Sequence, residues 1–259
     1  MKIVVCVKQV PDTETRVRIA PEGKGIVEAD VNWIVSPFDE FAIEEALRLK
    51  EAAGGEVVLV SAGPERVQAA LRSGLAMGAD SAVHLKDPLL DAADTLGTAR
   101  ALAAVIRTLA PFDLVLMGQQ GVGGDNSQMP GLVAEMLDVP QVTVAVKIEV
   151  RDGKAVVERE IEGGRETWET PLPAVISAQK GLNEPRYASL KGIMAAKKKT
   201  IQTMDAATLG LDAASLSPRV LVTGMEMPLA RPPVKMIEGD PQTQAKELIR
   251  LLHEEAKVI

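Results

Sequence analysis

Four short apolar runs, each followed by a segment of helical period, set what the first half of this chain can fold into. KIVVCVK (2–8), EVVLVS (56–61), SAVHLK (81–86) and FDLVLMG (112–118) are strand-length and nearly unbroken. That is the texture of strands covered on both faces. Between them, Pro37 and Asp39 open a helix whose Ala42, Ala46, Leu49 and Ala53 share a face, with Glu44–Arg48 as an i,i+4 ion pair, and Gly54-Gly55 closes it. Val67, Ala70, Leu71 and Gly74 mark a second helix, Asp94 caps a third running to Leu109, and a fourth spans Gln128 to Leu137. The rhythm predicts a doubly wound, mainly parallel α/β sheet of Rossmann-like type.

After Pro140 the texture changes. VTVAVKIEV and AVVEREIEG flank RDGK, whose Asp-Gly is a hairpin signal. RETWET offers another strand and PLPAVISA a further buried one, so the sheet is expected to finish with a hairpin insertion and this last strand. Nearer the N-terminus, RVRIAPEGKGIVEAD reads as a small hairpin. Residues 201–240 carry few periodic signals and read as an extended arm. The chain then closes with an amphipathic helix bearing Ala245, Leu248, Ile249 and Leu252. The expected division is a nucleotide-binding α/β domain over 1–200 and a C-terminal arm and helix over 201–259.

A formal net charge of -7 argues against broad affinity for nucleic acid or anionic membrane. Aromatic residues at 2% leave little for base stacking. No apolar run reaches the ~18 residues of a membrane span, and no signal segment precedes the first strand, so a cytoplasmic protein is expected. The single cysteine, Cys6, forms no internal disulfide and reads as a core thiol. His84 and His253 lie far apart and make no catalytic or metal pair. No G-x-S-x-G, H-E-x-x-H or C-x-x-C is present.

The chemistry is concentrated in LMGQQGVGGDNSQMPGLVAEML (116–137), where Gly118, Gly121, Gly123 and Gly124 stand between a buried strand and a helix. Glycine permits positive φ and close approach of backbone N–H groups to an anion, and the helix start adds unpaired N–H groups. Gly124 is expected at positive φ, so that leucine there would expel a phosphate. Asn126, Ser127 and Gln128 add neutral hydrogen-bonding groups. The spacing is neither the dinucleotide fingerprint nor a Walker loop, and a tight strand–helix turn remains the alternative. The loops at 8–13, 35–40 and 61–65 leave the same sheet edge and converge on the crevice where strand order reverses. Asp12, Asp39 and Asp125 fit capping or ligand hydrogen bonding as well as acid–base chemistry.

One segment resists this scheme. KGLNEPRYASLKGIMAAKKKT (180–200) holds the only tyrosine, then apolar residues spaced by polar or small ones, then three lysines in a row. By composition it is a solvated basic turn, a helix cap or a docking site.

Taken with MKIVVCVKQVPDT, PFDEFAIEEALRLKE, LAMGAD, DLVLMGQQGVGGDNSQMP and EREIEGGRETWETPLPAVIS, the block LNEPRYASLKGIMAAKKK resembles the β subunit of electron-transfer flavoproteins. The likeness is strong over about residues 1–200 and follows the arm by layout. Trp168 departs from the aliphatic residue usual there. The resemblance implies an electron carrier rather than an enzyme, in a heterodimer whose α subunit holds FAD while this subunit binds AMP. Carried over by motif, AMP would contact Cys6, Ser36, Pro37, Phe38, Asp39, Ala62 and the loop Gly118, Gln119, Gln120, Gly121, Val122, Gly123, Gly124, Asp125, Asn126, Ser127, Gln128 and Met129. Phe38 and Thr13 would sit near the partner's flavin.

The recognition loop 181–199 would dock acyl-CoA-type dehydrogenases through Tyr187, Leu190, Ile193 and Met194, with electrons passing on to a quinone oxidoreductase. One branch of the family bifurcates electrons with a second FAD in place of AMP. Gly123 and Gly124, standing where relatives are more acidic, leave the second nucleotide open between the two.

Overall fold

The computed structural model describes residues 1–259. In chain order the elements are β1 (Lys2–Cys6), β2 (Gln9–Pro11), β3 (Trp33–Val35), α1 (Pro37–Ala53), β4 (Glu56–Ala62), α2 (Val67–Met77), β5 (Ser81–Leu85), α3 (Thr95–Thr108) and β6 (Leu114–Gly118). There follow α4 (Met129–Leu137), β7 (Gln141–Arg151), β8 (Lys154–Ile161), β9 (Gly164–Pro171), β10 (Ala174–Ala178), α5 (Leu190–Lys198), β11 (Ile201–Met204) and α6 (Pro241–Leu251). Nine strands make one sheet in the order β11-β5-β4-β1-β6-β10-β7-β8-β9. Every pairing from β11 to β7 is parallel; the β7–β8 and β8–β9 pairings are antiparallel, so β8 alone runs against the rest of the sheet.

The unbroken apolar strands serve two cores at once. Ile3, Val5, Val57, Leu59, Leu114 and Leu116 pack beneath α1 and α2 against Ile43, Leu47 and Leu71. Their sequence neighbours Val4, Cys6, Val58, Val60, Val115 and Met117 face α3 and α4 with Leu102, Val105, Ile106 and Val133. Alternation of side chains across a strand requires this division. Asp94 caps α3 as expected, its Oδ1 accepting from Gly97 N–H at 2.9 Å.

Several details differ from the sequence expectations. The hairpin expected over residues 16–30 reduces to one antiparallel bridge, Ile19–Ile26, and the regular ribbon there is β2 with β3. Glu44 does not pair with Arg48, which lies 3.7 Å from Glu45 instead. The last buried strand, β10, does not close the sheet: it slots between β6 and β7 and leaves the hairpin outside. The RDGK turn has Asp152 at φ 52° and Gly153 at φ 73°, the paired positive values of a type I′ turn. Residues 201–216 do not leave the domain. Ile201–Met204 pairs with β5 at the sheet edge, and Ala206 and Leu216 are buried in the core beside α3.

Candidate functional site

The sheet reverses strand order between β1 and β6. The chain winds outward from β1 through β4 and β5, then returns to β6 on the other side. At the C-terminal ends of these two strands lies a cleft of about 380 Å³. Open α/β sheets bind ligands at such a switch point.

Asp39 holds the cleft together from beneath. It is buried at the start of α1. Its Oδ2 accepts from Lys8 N–H at 2.7 Å and its Oδ1 from Gly118 N–H at 2.8 Å, joining the ends of β1 and β6. Ser36 N–H donates to the Lys8 carbonyl at 2.9 Å, completing the junction. Burial pushes the Asp39 carboxyl up to about 7, against the two N–H donors and the nearby Lys8 charge, which lower it. Burial also raises the Cys6 thiol, with the Asp39 charge adding to the effect, so Cys6 is no nucleophile.

A raised carboxyl means that the fold keeps a proton the unfolded chain has already lost. Stability is therefore expected to fall as pH rises from the ordinary carboxylate range through about 7. Asp39→Asn should remove that part of the slope. Denaturation midpoints of the two proteins across this window check it, and parallel slopes would contradict it.

The glycine loop braces itself. Gly124 and Asp125 N–H both donate to the Gly121 carbonyl, at 3.2 and 3.0 Å. Gln120 Nε2 donates to Asp125 Oδ1 at 3.0 Å, and Ser127 Oγ donates to Gln120 Oε1 at 2.9 Å. Asn126 Nδ2 reaches Thr95 Oγ1 at 3.2 Å across the cleft. The positive φ expected at Gly124 falls instead on Gly123, Asp125 and Ser127.

Of the expected nucleotide contacts, the cleft wall gathers Cys6, Asp39, Ala62, Gly118, Gln119, Gln120, Gly121, Gly124, Asn126, Ser127, Gln128 and Met129. Val122, Gly123 and Asp125 belong to the loop without lining the cleft. Ser36 is wholly buried behind the wall, Pro37 and Phe38 are half-buried at the head of α1, and Thr13 is exposed in the turn after β2. The wall also includes Lys8, from the loop at 8–13 expected on the crevice, and Asp94, Thr95, Thr98 and Leu102, which sequence reasoning missed. Asp94 was legible only as a cap, yet its second oxygen accepts from Arg219 and Val220 N–H at 2.6 and 3.1 Å, fastening the start of the arm to the cleft wall.

The segment 180–200 divides by residue. Arg186 forks onto Glu44 (Nε to Oε2, 2.7 Å; Nη2 to Oε1, 3.0 Å) and onto Glu51 (Nη1 to Oε1, 2.5 Å). Asn183 Nδ2 donates to the Phe41 carbonyl at 3.0 Å and to Glu45 at 2.9 Å. These two residues pin the segment to α1. Ser189 Oγ then caps α5 by accepting from Gly192 N–H at 3.0 Å. Arg72 binds the carbonyls of Ala196 and Lys199, and the Lys199 ammonium binds the Ala79 carbonyl. Lys199 is thus a fastener, while Lys197 and Lys198 are exposed in the last turn. Between the pins, Tyr187 is 98% exposed and Leu190 78% exposed, with Ile193 and Met194 beside Leu190 at i+3 and i+4.

The fold is that of a doubly wound α/β protein with a cleft at its switch point. A family model described as the electron transfer flavoprotein domain matches residues 24–209. The electron transfer flavoprotein subunit beta of Bacillus subtilis (strain 168) is 40% identical over 261 residues, covering 100% of both chains. That of Sus scrofa is 42% identical over 234 residues, 89% of this chain and 90% of the relative. That of Thermoanaerobacterium thermosaccharolyticum is 44% identical over 213 residues, 82% and 81% of the two chains. The chain belongs to the electron-transfer flavoprotein β-subunit family.

Proposed function

We propose that this chain is the β subunit of a heterodimeric electron-transfer flavoprotein, an electron carrier that holds AMP in the switch-point cleft. The observation that carries the reading is the cleft itself: a glycine loop facing Lys8, with the Gln119 Oε1 atom buried there and without a hydrogen-bond partner. A buried orphan acceptor calls for a donor, and an adenine or ribose supplies several. FAD, held mainly by the α subunit, supplies the electron-accepting ring when bound.

The residues of this chain bind and orient. Asp39 and Gly118 hold the nucleotide cleft in shape, and Phe38 and Thr13 face the side assigned to the partner's flavin. The arm and α6 present Val220, Leu221, Val222, Leu229, Leu248 and Ile249, all exposed, as the surface that packs on the α subunit. Tyr187, Leu190, Ile193 and Met194 dock acyl-CoA-type dehydrogenases, and a quinone oxidoreductase takes the electrons. No helix is long and apolar enough to cross a membrane, and the location proposed for the carrier is the cytoplasm. Co-expressed with an α subunit, the chain is expected to purify as a yellow heterodimer whose flavin a dehydrogenase reduces. A chain that purifies alone and colourless would sink the reading.

A further inference from the structure

We propose that Lys8 is the phosphate-binding cation of the cleft, its ammonium laid against the glycine loop where a nucleotide's phosphate would sit. The inference rests on the nucleotide reading above and deepens it. Lys8 follows the central strand at the switch point, and its backbone is fixed on both sides. Its N–H donates to Asp39 at 2.7 Å, and its carbonyl accepts from Ser36 at 2.9 Å. The side chain runs across the cleft mouth onto the loop. A Cβ at Gly121 would lie 2.7 Å from Lys8 Cδ and 2.8 Å from Nζ, and one at Gly124 would lie 3.9 Å from Nζ. Gly121 has no positive φ, so its missing side chain makes room for the lysine rather than for a turn.

The charge balance of the cleft points the same way. Asp39 and Asp94 line the cleft, Asp125 lies in its loop, and each already accepts hydrogen bonds. Asp39 takes the N–H groups of Lys8 and Gly118. Asp125 takes the Gln120 amide. Asp94 takes Gly97, Arg219 and Val220 N–H. The Lys8 ammonium is in no ion pair and no side-chain hydrogen bond, and Lys8 is the only Lys or Arg lining the cleft. One unpaired cation beside a loop and the N-terminal end of α4 suits one phosphate.

The test is direct binding of AMP and of adenosine to the heterodimer freed of nucleotide, for wild type, Lys8→Met, Lys8→Arg and Gly121→Ala. Loss of a charge-assisted hydrogen bond is worth ~10- to 100-fold. Lys8→Met should weaken AMP by that factor, leave adenosine unchanged and flatten the salt dependence of AMP binding. Lys8→Arg should retain most of the affinity. Gly121→Ala should fold normally, because only the flexible end of Lys8 must move, and should weaken AMP in the direction of Lys8→Met.

If Lys8→Met binds AMP as wild type does, or loses adenosine as much as AMP, Lys8 is not the phosphate cation, though the nucleotide reading stands. A wild-type heterodimer with no affinity for AMP overturns both.

Discussion

Gly118→Ala is expected to be among the most damaging single-methyl changes in the chain, lowering stability by about 1–3 kcal/mol and emptying the cleft. The new Cβ would meet Asp39 Oδ1 directly and lie 2.7 Å from Phe38 Cβ and 2.8 Å from the Phe38 carbonyl carbon. Two of these neighbours are the backbone of α1 and the carboxylate that joins β1 to β6, so neither yields without opening the switch point. The cost is double: overpacking, and loss of the Gly118 N–H bond to Asp39. For a chain of this size each kcal/mol shifts the thermal midpoint by about 2–4 °C. Gly123→Ala is the control, since nothing lies within 4 Å of a Cβ there and only its φ of +89° is strained. If Gly118→Ala melts no lower than Gly123→Ala and keeps its nucleotide, the junction at Asp39 is wrongly described.

The second large effect lies on the opposite property, recognition without stability. Leu190→Ala should leave the fold, nucleotide content and flavin spectrum untouched, because Leu190 is 78% exposed and begins α5 rather than supporting it. A buried aliphatic anchor is worth roughly 1.5–3 kcal/mol, so electron acceptance from an acyl-CoA-type dehydrogenase should fall ~10- to 100-fold in kcat/KM. Stopped-flow reduction of the heterodimer's flavin measures it. Unchanged rates would remove Leu190 from the docking surface. The pins at Asn183, Arg186, Arg72 and Lys199 hold the segment in place before a partner arrives, which limits the ordering cost of docking.

Local signals were legible in the sequence, and long-range partnerships were not. Apolar runs placed β1, β4, β5, β6 and β10, helical period placed α1 to α4, and Asp152-Gly153 placed its hairpin. Each rests on neighbours within a few residues. The insertion of β10 between β6 and β7 was hidden because a strand buried on both faces looks alike at any interior position. Strand β11 was hidden because IQTM is an edge strand with half its residues exposed.

Glu44 was given to Arg48 on helical spacing, while its partner Arg186 lies 142 residues away. In the cleft, the glycine loop was legible from its glycines. The part played by Lys8 was not, since only folding shows that its ammonium crosses to Gly121. Thr95 and Thr98 enter the wall because α3 begins opposite the loop, which no spacing within α3 reveals.

The central claim is that the switch-point cleft of this chain holds AMP beside a partner that holds FAD. Heat or acid release of the nucleotides from the purified heterodimer, separated and quantified against protein, tests it most directly. One AMP and one FAD per heterodimer is the expected result. Two FAD and no AMP would contradict it and place the protein with the electron-bifurcating branch.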